Sequence, residues 1–190
     1  MKNLNKLLAI SFLILLSTQI FSQEDEIFRK RFEYSIPEKM EGPVSSRLQA
    51  GTYSVGRVGS FPTLDSALNK LSIDGIEGNV TLELIDDLYT ATSDTFGFLL
   101  DGPIPGSGPG NRVTIKPAPN KNVTIGGNGE AVLNFRNISY LTVDGIGLIG
   151  STTLKIHANQ NISCPFNDGI SFLNNSKHNV VQNVIIECED

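Results

Sequence analysis

Between Asn111 and Gly150 the chain repeats one small pattern: two or three β-branched or aliphatic residues, then a break of Pro, Gly or Asn. Val113-Thr114-Ile115, Val123-Thr124-Ile125, Val132-Leu133 and Leu141-Thr142-Val143 follow one another every nine or ten residues. β-Branched side chains favour extended backbone, where they pack well on a pleated surface. A three-residue strand buries almost nothing by itself, so each run must lie against another. Many short strands at an even beat restrict the chain to an antiparallel sandwich or a solenoid.

Self-comparison favours the solenoid. "AVLNFRNISYLTVDGIGLI" (131–149) lies without gaps over "GISFLNNSKHNVVQNVIIE" (169–187), displaced by 38 residues. Val132 then meets Ile170, Val143 meets Val181, Leu148 meets Ile186 and Asn137 meets Asn175. Val123–Ile125 precedes Leu141–Val143 by 18 residues, which reads 38 as two windings and "TLKIHANQNI" (153–162) as the winding between. The expected unit is about 18 to 22 residues, repeated in about four to five coils. Each strand then pairs in parallel with its copy one winding below, and backbone groups are satisfied between windings. Inward Val, Ile and Leu stack into one column, and Asn and Gly take the positive-φ bends. An inward Asn at a bend is expected to bond its counterpart in the next winding.

An open solenoid end exposes apolar side chains and strand edges, so a cap is expected. "FPTLDSALNKL" supplies one. Thr63 is an N-cap, Asp65 lies in the first turn, and Leu64, Ala67, Leu68 and Leu71 share one helical face. "GNVTLELIDD" follows as a strand with Val80, Leu82 and Leu84 on its inner side. "DGPIPGSGPG" (101–110) reads as a surface loop.

The first 22 residues read as a secretory signal. Lys2 and Lys6 precede an apolar stretch from Leu7 to Leu16, and cleavage is expected after Ser22. The apolar stretch is shorter than the roughly 20 residues a spanning helix needs; an uncleaved anchor is the alternative. Residues 23–50 form a charged leader, and 51–190 hold the cap and first coils. Removing the signal takes two lysines from 15 basic residues and nothing from 20 acidic ones, so the net charge moves from −5 to −7. That sign opposes a phosphate backbone, and no nucleic acid partner or later membrane span is expected. In an oxidising space Cys164 and Cys188 can form a disulfide; two small buried thiols are the equal alternative.

The segments "GTYSVG", "FPTLDSALNKL", "GNVTLELIDDLYT", "NRVTIKPAP" and "AVLNFRNISYLTVDGIGLIG" together resemble the start of right-handed parallel β-helix proteins of the pectin lyase-like superfamily. More narrowly they are similar to large secreted or surface proteins of Bacteroidetes-type bacteria. The resemblance covers about Gly51 to Cys188 and implies an all-β right-handed parallel β-helix with a short N-terminal cap helix. The chain is expected to be the N-terminal piece of a longer product or a truncated one, because the closing "VIIECED" follows an apolar strand directly with no element to close the stack. Relatives of this fold include polysaccharide lyases, pectin methylesterases and tailspikes. A lyase of this kind implies Asp clusters for Ca²⁺ with an Arg or Lys base.

Asp86 and Asp87 are the weak candidates for such a metal or sugar site. Adjacent residues on an extended chain point apart, which favours two solvated acids at a turn. Asp144 in "TVDGIGL" and the two histidines, His157 and His178, have no partner at useful spacing in the sequence. Lys155 and His157 are expected on the solvent face. Tyr53, Tyr89 and Tyr140 are possible sugar platforms without a visible row. The expected function is a non-catalytic extracellular or cell-surface scaffold or glycan-binding segment. Two alternatives stand beside it: part of a polysaccharide lyase or glycoside hydrolase with its active site beyond residue 190, and a surface adhesin. A polysaccharide or a surface protein is the expected partner.

Overall fold

The computed structural model describes residues 46–93, 95–145, 153–158 and 168–188. The expected signal, most of the leader and Cys164 lie outside these residues. Among the described residues twelve strands and one helix follow in chain order: β1 (Gly51–Val55), α1 (Leu64–Ile73), β2 (Val80–Leu84), β3 (Leu88–Thr90) and β4 (Phe98–Asp101). Then come β5 (Val113–Pro117), β6 (Asn122–Gly127), β7 (Ala131–Arg136), β8 (Leu141–Asp144), β9 (Thr153–Ala158), β10 (Asp168–Leu173), β11 (Val180–Gln182) and β12 (Val184–Cys188).

The strands form three sheets, ordered β1-β2-β5-β8-β11, β3-β6-β9-β12 and β4-β7-β10. Every pairing within them is parallel. The chain passes from the first sheet to the second to the third and back, one winding of a parallel β-helix of about four turns. Alternation along each strand decides what enters the core. Leu82, Ile115 and Val143 form one inward column, and Ile125 and Ile156 belong to another; all are fully buried. Burying each such side chain contributes about 1.5–3 kcal/mol, which is how strands this short become stable in a stack.

The winding is longer than the expected 18 to 22 residues. Hydrogen bonds between adjacent coils span 31 residues (Thr153 to Asn122), 33 (Arg112 to Asn79) and 38 (Leu141 to Asn179). The 38-residue self-match is therefore one winding, and Val143 pairs directly with Val181. Val123–Ile125 and Leu141–Val143 lie on different sheets of one solenoid. The segment "TLKIHA" is a further face of the winding that contains β8, not a separate coil. The physical reason is that three faces of one coil carry the same short β-branched chemistry, so a face-to-face spacing looks like a repeat.

α1 caps the stack. The Thr63 side chain accepts from the Ser66 backbone N–H, and the Ser66 hydroxyl faces the Thr63 N–H, a reciprocal capping box. Leu64, Ala67, Leu68 and Leu71 are buried, and α1 packs on β4. Pairing begins ahead of Gly51, because buried Leu48 bridges Ile76 in parallel. At the opposite end, inward Val181 and Ile186 remain 40 % and 49 % exposed. Asn137, Asn175 and Asn183 adopt positive φ at the bends. Among the described residues side chain-to-backbone bonds stand where Asn-to-Asn bonds were expected: Asn79 accepts from Arg112 N–H, and Asn179 accepts from Leu141 N–H and donates to the Ile138 carbonyl.

Candidate functional site

The outer surface is laid out by the register of the coils. Glu83 pairs with Lys116 at 3.3 Å on neighbouring strands of the first sheet. On the second sheet Lys155 and His157 point outward, as alternation predicts, and Glu187 of the next coil approaches them at 3.1 and 3.8 Å. Asp144 accepts from the side-chain amides of Gln182 (2.8 Å) and Asn183 (3.0 Å) one coil on. Its carboxylate thus serves as a tie between coils.

A mixed column occupies the corner before the first sheet. The Arg112 guanidinium lies 5.8 Å from the Tyr140 ring centroid, and Tyr140 stacks on His178 at 5.0 Å. Arg112 also donates to the His178 carbonyl at 3.0 Å. Tyr140 and His178 both hold positive φ, a conformation costly for non-glycine residues and sustained here by the stacking. Of the other tyrosines, Tyr53 packs against Phe61, and buried Tyr89 donates to the Val55 carbonyl and accepts from the Asp86 N–H. Burial pushes the Tyr89 hydroxyl pKa up, consistent with a permanent donor. The three tyrosines form no row.

Asp86 and Asp87 follow β2 and line a groove of about 500 Å³ beside α1. They turn to different cations. Asp86 accepts from the Arg57 N–H at 2.9 Å and lies 4.0 Å from its guanidinium, while Asp87 meets Lys121 at 3.0 Å. Among the described residues no three His, Cys, Asp or Glu side chains converge. Asp65 stands across the groove in the first turn of α1; burial raises its pKa, and a hydrogen bond from Thr92 partly offsets this. Cys188 ends β12, exposed, in register with inward Ala158.

A third cluster was not foreseen. On the outer face of β7, Glu130 accepts from Asn134 (3.2 Å) and Arg136 (2.9 Å). The Arg136 guanidinium lies 4.7 Å from the centroid of the Phe96 ring, which is 38 % exposed. Asn134 Oδ1 and Arg136 Nε, both closed to solvent, have no hydrogen-bond partner among the described residues. A buried unpaired acceptor and donor cost about 1–3 kcal/mol each, a local strain that the surrounding packing sustains. The signal was present in "AVLNFR": Asn134 and Arg136 are two apart and share a face. What the sequence alone lacked was Glu130 and Phe96 folding over that face.

Among the described residues no helix is long and apolar enough to cross a membrane. No protein-family model, no curated protein and no solved structure matches this chain.

Proposed function

We propose that this chain is an exported, non-catalytic β-helix module of the pectin lyase-like kind that binds a glycan at a cell surface. The apolar stretch following Lys2 and Lys6 is the basis for export, and a disulfide between Cys164 and Cys188 is compatible with that compartment. The reading rests mainly on the cluster of Phe96, Glu130, Asn134 and Arg136. A sugar can reach the solvent-facing edge of this cluster, where the half-exposed Glu130 carboxylate can accept from its hydroxyls. The exposed face of Phe96 offers the apolar contact that a pyranose ring requires. Several other charged groups are tied between coils, as in Glu83–Lys116 and Lys155–Glu187, which suits a rigid support rather than a reacting centre.

The test is a glycan-binding screen with the purified chain, followed by titration of the best oligosaccharide against Glu130→Gln, Arg136→Gln and Phe96→Ala. Each variant is expected to weaken binding about tenfold, the loss of roughly one hydrogen bond or ring contact. No binding to any oligosaccharide, or equal binding by all three variants, rejects the site. Release of reducing ends or unsaturated sugars from a bound polysaccharide rejects the non-catalytic assignment.

A further inference from the structure

The three sheets do not start at the same level. The first begins with β1, one coil above β2, whereas the second begins with β3 and the third with β4. α1 covers the level above β4. Among the described residues no strand lies above β3, and the 500 Å³ groove lies there.

The hydrogen-bond pattern shows which backbone groups face it. The Thr124 N–H donates to the Asp87 carbonyl (2.9 Å), and the Ala91 N–H donates to the Gly126 carbonyl (3.0 Å). Alternate residues of a strand direct both polar groups to the same side, so Asp87, Tyr89 and Ala91 address β6. Leu88 and Thr90 address the groove. Among the described residues their N–H and C=O groups take no hydrogen bond. The Leu88 side chain is also 63 % exposed.

We propose that this groove binds an extended peptide as an added strand on β3, with a basic side chain placed at Asp65. Strand addition supplies affinity through the main chain and selectivity through side-chain pockets. The charge sign follows from the partners already taken. Asp86 is held by Arg57 and Asp87 by Lys121, while Asp65 has Thr92 as a partner and no cation among the described residues. The groove therefore carries one uncompensated carboxylate, kept against the cost of burial. The site is separate from the Asn134–Arg136 cluster, on another sheet, so the two readings can fail independently.

Fluorescence anisotropy with a labelled heptapeptide of alternating valine and threonine around one central lysine tests this. Saturable binding is expected. Methylating alternate backbone nitrogens of the peptide should abolish it in the register that faces β3. Exchanging the peptide lysine for glutamate, or Asp65→Asn in the protein, should weaken it about tenfold or more. Thr90→Pro should abolish binding while leaving the fold, since that N–H bonds nothing among the described residues and proline is tolerated at a strand edge; circular dichroism checks the fold. Absence of saturable binding, or equal binding of the methylated and unmethylated peptides, overturns the proposal. Displacement of the peptide by the oligosaccharide that depends on Arg136 also overturns it, because one ligand would then account for both sites.

Discussion

Gly145 has no side chain because the next coil leaves no room for one. A Cβ there would stand 1.8 Å from the Asn183 carbonyl oxygen, a backbone atom that cannot swing aside. Gly145→Ala must push two coils apart, and a loss of about 3 kcal/mol is expected. Gly108→Ala is the control, since nothing lies within 4 Å of its added methyl. Denaturant midpoints of the two variants should separate clearly; equal midpoints would mean the coils are not in contact at Asp144–Gly145. Asp65 makes the second prediction at this scale. Burial raises its pKa above 3.8, so ionisation costs the folded state stability at neutral pH. That cost disappears as pH falls through the raised value, because the folded form then takes up the proton first. Asp65→Asn should therefore stabilise the protein at pH 7, with the gain shrinking toward pH 4. Asp74 works with the opposite sign: hydrogen bonds from Lys70 and Ser46 lower its pKa, and its contribution is lost in acid, below 3.8. Urea titrations of both proteins across this range check the signs.

At the scale of elements, α1 is too short to hold by itself and is held by what it covers. Its capping box and its buried face act together: one satisfies the first backbone N–H groups, and the other closes the column above β4. Thr63→Ala should cost about 1 kcal/mol through the lost cap alone. Leu68→Asp places an unpaired charge where the side chain is 1 % exposed, and should cost about 4 kcal/mol and expose the first coil to aggregation. Light scattering and thermal melting of the two variants distinguish a frayed helix from an opened end. If Leu68→Asp melts like the wild type and stays soluble, α1 is no cap.

For the whole molecule, stability is a sum along one axis, since each coil touches only the next. The column is tight from Leu82 through Val143 and loosens at Val181 and Ile186. Hydrogen exchange should be slowest in β5 and β7 and fastest in β11 and β12, because local opening follows contact density. Val181→Lys with Ile186→Lys should leave the melting temperature within a few degrees and reduce self-association, the reverse of what the same change would do at Val143. A large destabilisation by the double change would place those side chains in a closed core. The longer winding also explains the misjudged period. Val123–Ile125 and Leu141–Val143 are alike because both feed the same core, although they feed it from different sheets and in different columns.

The sequence by itself determined the parallel solenoid, the inward Val80, Leu82 and Leu84, the Thr63 cap, the outward Lys155 and His157, and the positive-φ asparagines. These depend on local chemistry: β-branching, alternation, and the backbone tolerance of Asn and Gly. Only the tertiary structure decided the length of the winding, the stack of Arg112, Tyr140 and His178, the meeting of Phe96, Glu130, Asn134 and Arg136, and the bare edge of β3. Each of those depends on which residues the coil brings level, and register between windings is a property of closed three-dimensional packing that no single strand encodes.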